Sequence, residues 1–435
     1  MNVLFASRHL STGRPHAAPR DLHDTIETQR DSLFDLQRAD GHFLFELEAD
    51  ATVPSEYVLL RHFIGNVDPE REQRILPYLR EIQNADGSWP LFHTGAGNVS
   101  ATVKAYWALK LAGEDIDAAH MVRARAWVQG QGGAATANVF TRIMLALFGE
   151  IPWRGVPVMP VEIMLLPRWF PFHMSKVAYW SRTVIAPLLV LYALKPRAMN
   201  PTGRTIAELF VTPPDRHQAY NVNPTGERIG DLFLGLDRIL QSVEPRFPKG
   251  LRAKAITAAT DFFTERLNGR HGLGAIYPAM ANAVMALHSL GRPDDDPDVV
   301  AAWAAIEDLI VEREEGVYFQ PCVSPVWDTS LAAHALMEAG ESESDHACVG
   351  EALDWLADRQ ILETRGDWSV RRPDVRPGGW AFQYENAHYP DVDDTAVVAL
   401  AMHRQGDTKY TEAVDRACEW LVGMQSASGG WGAFE

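Results

Sequence analysis

A unit that recurs along the chain limits its fold more than any local propensity does. A glutamine is followed within a few residues by glycine and tryptophan at Gln83 to Gly87-Ser88-Trp89, at Gln360 to Gly366-Asp367-Trp368 and at Gln425 to Gly429-Gly430-Trp431. Each copy follows a helix-like segment with an aromatic and a leucine: Tyr78-Leu79, Trp355-Leu356 and Trp420-Leu421. Weaker copies stand at Gln37 to Gly41-His42-Phe43, where phenylalanine replaces tryptophan, and near Gly272-Leu273. A second unit is an alanine-rich helix that stops at glycine. Aligned on Gly113, Gly291, Gly340 and Gly406, segments 101–113, 279–291, 328–340 and 394–406 carry small and aliphatic residues and end where a left-handed C-cap suits glycine. Surface and inner helices alternating at intervals of tens of residues, with almost no period-2 alternation, predict an all-α toroid or α/α barrel. The loops leading into the inner helices of such a barrel converge on a central cavity.

The 435 residues, 46% of them hydrophobic, are enough for two or three domains. A net charge of −17 without a basic cluster argues against a nucleic-acid partner. Cys322, Cys348 and Cys418 have no disulfide or metal spacing, which suits a reducing compartment. Residues 1–30 are polar and lack the apolar centre of a secretory signal. The longest apolar run, Val184 to Leu194, is about half of what a bilayer span needs and contains Pro187. In residues 229–240, Leu232, Phe233, Leu236 and Leu240 recur at helical spacing. That pattern fits a core-facing helix, the commoner case, or one lying on a membrane surface. The proline-rich stretch 152–250 predicts irregular apolar structure around a mouth or connection.

A domain boundary is expected near 295–320, where Asp294-Asp295-Asp296-Pro297-Asp298 leads into a fresh helix. This run has the Asp-Asp-x-x-Asp spacing that can hold magnesium on a diphosphate. A turn after an inner helix, with Asp298 as the cap, accounts for it without a metal.

The chemistry points to Tyr389-Pro390-Asp391-Val392-Asp393-Asp394-Thr395, three carboxylates directly ahead of the apolar run 396–402. One acid can simply cap the helix. Asp394 is the natural choice, because Asp394-Thr395 and Asp328-Thr329 start equivalent segments. Three acids exceed that need. Carboxylates this close repel one another, and burial beside Trp380, Phe382, Tyr384 and Tyr389 raises the pKa of at least one and keeps it protonated near neutral pH. A carboxylic acid kept protonated in an aromatic site is a proton donor to a very weak base.

Together, the Gln-to-Trp repeats, residues 390–395, Gly378-Gly379-Trp380-Ala381-Phe382-Gln383, residues 51–60 and residues 324–329 resemble the squalene-hopene cyclase family of triterpene cyclases. The resemblance runs from about residue 25 through nearly the whole chain. It implies a two-domain α/α-barrel protein: residues 1–25 an extension, 26–300 a barrel with a membrane-facing insertion near 152–250, and 301–435 the first part of the catalytic barrel. It implies cyclisation of squalene or a similar polyprenoid to hopene or hopanol in hopanoid biosynthesis, with no cofactor and no metal. Asp393 would protonate the terminal alkene, with Asp391 and Asp394 shaping its acidity. Trp180, Trp327, Phe382 and Phe434 would line the cavity together with Gln383, Glu56 would join a polar network at the far end, and Val177 and Ile185 would lie at the substrate entrance. The family also implies attachment to one membrane leaflet from the cytoplasmic side, through residues 229–240, and a homodimer.

The chain departs from the family at its end, for it stops at Glu435 where the family continues into the rest of the barrel. That remainder supplies a histidine expected to bond the acid cluster. The expectation is therefore a fragment with exposed inner helices, a wet acid and little or no activity alone. Two rivals stay open: a related cyclase acting on a shorter or oxygenated polyprenoid, and a non-catalytic helical scaffold with relic acids. A helical-toroid glycosidase is a weaker third, since nothing around the acids reads as sugar-binding.

Overall fold

The structure, a computed structural model, describes residues 21–223, 226–340 and 343–433. Helices come in the order α1 (Leu22–Phe34), α2 (Thr52–Ile64), α3 (Pro69–Glu81), α4 (Val99–Leu111), α5 (Ala119–Gly130), α6 (Val139–Phe148), α7 (Tyr179–Leu194), α8 (Arg228–Val243), α9 (Lys249–Thr264), α10 (Tyr277–Ser289) and α11 (Pro297–Glu307). A short antiparallel hairpin of β1 (Ile310–Glu312) and β2 (Val317–Phe319) leads to α12 (Pro325–Ala339), α13 (Glu343–Ala357), α14 (Val392–Gln405) and α15 (Thr411–Met424). The described chain is all-α apart from this hairpin and isolated bridges.

Two main apolar cores organise these helices. In the first, α2, α4, α6, α7 and α10 are buried on most sides, with α3, α5, α9 and α11 outside them. In the second, α12 and α14 form the inner layer, and α13 and α15 pack outside. The start of the chain joins this second core: Phe43 is fully buried there, Leu33, Phe34, Leu36 and Phe45 pack against it, and α1 lies on α12.

The repeats are hydrogen-bonded corners that lock an outer helix to the next inner one. The Gln83 side-chain amide donates to the carbonyls of Gly87 (2.9 Å) and His120 (3.1 Å), and the Trp89 indole donates to Leu79 O (2.7 Å). Gln360 does the same to Gly378 O (2.8 Å) and Ala413 O (2.9 Å), and the Trp380 indole donates to Leu356 O (2.7 Å). The tryptophan partnering Gln360 is thus Trp380, not Trp368, and residues 361–377 are an insertion within the repeat. At the glycine of each corner the next outer helix comes too close for a side chain: a Cβ on Gly87 or Gly378 would lie 2.6 Å from backbone atoms of Arg123 or Arg416.

Three local expectations change. The stretch 152–250 holds a regular helix, α7, whose residues from Ala186 to Tyr192 are buried. Packing on that scale outweighs the roughly 3 kcal/mol that Pro187 costs inside a helix. The cap of α11 is Asp296, which accepts from Asp298 N–H (2.9 Å) and pairs with Arg292. The helix at 229–240, α8, is not core-facing. None of its residues is buried, and Ile229, Leu232 (69% exposed), Phe233, Leu236 and Ile239 point outward beside Trp169 (76%) and Phe172. Its polar side is anchored through Asp237, which accepts from Val158 N–H (2.8 Å) and Gln241 (2.9 Å). No helix among the described residues is long and apolar enough to cross a membrane.

Candidate active site: an acid cluster at the start of α14

The corner built on Trp380 delivers the acids. Trp380 N–H donates to the Thr395 hydroxyl (2.9 Å), that hydroxyl donates to Asp391 O (2.6 Å), and Asp391 N–H donates to Trp380 O (2.9 Å). This ring of bonds fixes the first turn of α14. Asp391 is the N-cap, its carboxylate accepting from Asp394 N–H at 2.8 Å. The cap is therefore not Asp394, which is the third residue of the helix and gives its backbone N–H to the cap.

Burial separates the roles of the three acids. Asp391 and Asp394 are 4% and 2% exposed, whereas Asp393 is exposed. Desolvation pushes Asp391 up to about 6, although the Asp394 N–H bond pulls the other way and the charge of Asp393 adds to the rise. Desolvation, followed by the charges of Asp391, Asp393 and Asp328, holds Asp394 well above the ordinary carboxylate range. Both shifts favour the protonated form, as expected for two carboxylates this close in a buried site. Asp393 begins a stripe with Ala396, Leu400 (52% exposed), His403 and Arg404 that runs along α14 on the side away from its core.

Around this cluster, Trp327 is half-buried on the first turn of α12, and its neighbour Asp328 is buried. Asp328 accepts from Phe45 N–H (2.8 Å) and the Ser324 hydroxyl (3.0 Å), while burial raises its pKa. Phe382 is half-buried just beyond Trp380. Gln383 is buried, accepting from Asn386 at 3.4 Å, and its Nε2 has no hydrogen-bond partner. Trp180, half-buried on α7, meets Tyr179 edge to face at 6.2 Å, and Tyr179 stacks on Tyr389 beside the acids. The structure thus brings residues of α7, α12 and the 380–389 loop together with α14.

Glu56 is elsewhere, on α2 in the first core. It pairs with the buried Lys104 at 2.5 Å, and its charge is felt by the Tyr277 hydroxyl, which is buried without a hydrogen-bond partner. Val177 and Ile185 are half-buried just before and on α7. Phe434 lies outside the described residues. Among the described residues no group of three or more His, Cys, Asp or Glu is arranged to hold a metal ion.

Sequence reasoning missed Tyr179, Asn386, Arg182 and Asp367, whose contacts join the two halves of the molecule. The one available signal, Asp367 inside a Gly-Asp-Trp triplet, was absorbed by the misassigned repeat.

Residues 26–315 match the model of the squalene-hopene cyclase N-terminal domain, and residues 323–435 match that of the C-terminal domain. The chain is 52% identical over 421 residues to a squalene-hopene cyclase of Bradyrhizobium diazoefficiens, covering 95% of this chain and 64% of that one. It is 52% identical over 432 residues to the enzyme of that name from Zymomonas mobilis, again covering 95% and 64%. For the Alicyclobacillus acidocaldarius squalene-hopene cyclase the figures are 37% identity over 417 residues, covering 94% of this chain and 65% of that one. The chain therefore spans about two thirds of the length of these relatives. Both domain models and relatives at this identity lead to one conclusion: the chain belongs to the squalene-hopene cyclase family.

Proposed function

We propose that this chain carries the initiating acid of a squalene-hopene cyclase, which starts a cationic polycyclisation by protonating a terminal alkene. The observation that carries the reading is the buried pair Asp391 and Asp394, both shifted toward the protonated form, on either side of the exposed Asp393 at a helix N-terminus. An alkene is so weak a base that its donor must be pre-positioned and the anion left behind must be stabilised. Asp393 would give its proton to the inner CH carbon of the terminal double bond, leaving a tertiary cation on the outer carbon that bears the two methyl groups. The positive end of α14 would stabilise the Asp393 carboxylate. Neighbouring double bonds of squalene would then attack in turn, each forming a carbon–carbon bond and passing the cation on. The faces of Trp327, Phe382 and Trp180 can stabilise those cations without trapping them covalently, as an alkoxide would. Proton loss would end in hopene, and capture of water in hopanol.

The outward apolar face of α8, with Trp169 and Phe172 beside it, supports seating on one membrane leaflet, with squalene drawn from the lipid. The family resemblance favours the cytoplasmic side and a homodimer. Because Asp393 is exposed rather than sealed from water, the 435-residue chain by itself is expected to turn over little squalene.

The test is squalene turnover, followed by gas chromatography, for this chain alone and with the remaining third of a family member supplied in trans. Turnover restored by the added part and lost again in Asp393→Asn supports the reading. Restored turnover that survives Asp393→Asn refutes the assignment of the acid, and turnover by the chain alone refutes its expected inactivity.

A further inference from the structure

The loop that delivers Asp391 is held largely by residues of the first half of the molecule. Tyr179, fully buried at the start of α7, stacks on Tyr389 with ring centroids 3.5 Å apart and planes 11° from parallel. Its hydroxyl donates to Asn386 Oδ1 at 2.7 Å, and the Asn268 amide reaches the same oxygen at 3.4 Å. Asn386 returns to the loop, donating to Gln383 (3.4 Å) and accepting Tyr389 N–H on its carbonyl (2.8 Å).

One turn along α7, Arg182 donates to Asp367 Oδ2 (3.0 Å) and lies 6.0 Å above the Tyr389 ring. Arg266, just beyond α9, donates to Asp367 Oδ1 (2.6 Å). Asp367 N–H in turn donates to His388 O (3.0 Å), against which Gly366 packs so closely that a Cβ would fall 2.0 Å from that oxygen. All three charged groups are buried or nearly so, and a buried charge offsets its desolvation only when its partners are in place. Loop 383–390 is thus seated only when α7 and α9 are docked.

We propose that Tyr179 is a positioning residue for the acid cluster: stacked on Tyr389 and bonded to Asn386, and backed by the Arg182–Asp367–Arg266 clamp, it sets where the Asp391 carboxyl lies against Asp394. The proposal rests on reading Asp391, Asp393 and Asp394 as the initiating acid site, and it explains why the first domain belongs to the chemistry. Tyr179 touches none of the acids and acts through Tyr389 and the two residues that follow it. The charged groups facing the buried pair are Asp393 on its own helix and Asp328 from α12; those facing the clamp are Glu265 and His388.

The test reads the pair directly and needs no turnover. In the 435-residue chain, the protonated-carboxyl infrared band that disappears in the Asp391→Asn/Asp394→Asn double variant isolates the pair, and its loss with rising pH gives a midpoint. Tyr179→Leu removes both stack and hydrogen bond; loosening the loop admits water and moves the midpoint down by about one pH unit. Tyr179→Phe keeps the stack and moves it less, in the same direction. If Tyr179→Leu does not fold, Tyr179→Phe alone decides. An unchanged midpoint in every variant that folds, even with a lowered melting temperature, makes Tyr179 ordinary packing and overturns the proposal. A parent chain with no band dependent on the pair refutes the acid reading itself, a different outcome from an unmoved midpoint.

Discussion

The starts of α4 and α14 are built on one frame and differ in what it carries. At α4, Trp89 N–H donates to the Thr102 hydroxyl (3.0 Å), that hydroxyl donates to Asn98 O (2.7 Å), and Asn98 N–H donates to Trp89 O (2.9 Å). At α14 the same three bonds join Trp380, Thr395 and Asp391 at 2.9, 2.6 and 2.9 Å. Asn98-Val99-Ser100-Ala101-Thr102 therefore aligns residue for residue with Asp391-Val392-Asp393-Asp394-Thr395. The first frame is neutral and the second has an acid at every position where the first has asparagine, serine or alanine. The fold needs the frame alone, so the acids are an addition that stability does not explain. Asp394 is a cost, since its Oδ1 is buried with no hydrogen-bond partner.

The largest effect should fall equally on both frames. Trp89→Ala and Trp380→Ala each empty a fully buried indole site and break an inner–outer helix corner, which costs about 3–5 kcal/mol by denaturant unfolding. A much smaller loss at Trp380 would mean that the second frame is not the structural copy of the first.

Next comes the acid pair, where the frames should part. With Asp391 raised from 3.8 to about 6, the native state binds more protons than the unfolded chain between those values. Its contribution is fully present below pH 3.8 and is lost as pH rises through about 6. Asp394 acts in the same direction, so the loss belongs to the pair rather than to either acid. Copying the first frame onto the second, as Asp391→Asn with Asp394→Ala, should flatten this dependence and raise the melting temperature at mildly alkaline pH. A variant no more stable there than the parent would show that the pair is not buried in its charged form.

The smallest effect sharpens the roles of the caps. Asn98→Ala removes a side chain that accepts from two backbone N–H groups and should cost about 1 kcal/mol. Asp391→Asn keeps an accepting oxygen and should cost no such amount. An equal loss at both would mean that the charge of Asp391, not its capping geometry, holds α14.

Much of this was legible in the amino-acid order, because it depends on neighbours in the chain. The inner helices ending near Gly113, Gly291, Gly340 and Gly406 follow from small-residue content and positive-φ glycine, and all four glycines have φ between 76° and 137°. The clustered acids ahead of α14, and the amphipathic run that became α8, are local patterns too. What stayed hidden depends on partners distant in sequence. Spacing alone pairs Gln360 with the nearer Trp368, because it cannot show that residues 361–377 loop out and Trp380 closes the corner. The register match between Asp328 and Asp394 points to Asp394 as the cap, although Asp328 is itself held by Phe45 and Ser324 rather than capping α12.

By itself, then, the sequence determined an all-α repeat architecture, the helices that carry it and the place where acids gather, since propensity, periodicity and capping act over a few residues. Only the tertiary structure decided that Phe43, from the start of the chain, belongs to the second core, that Asp391 caps while Asp393 faces outward, and that Tyr179 and Arg182 reach across to the acid loop. Those outcomes turn on which surfaces become buried against which, and burial is settled only when segments hundreds of residues apart have packed together.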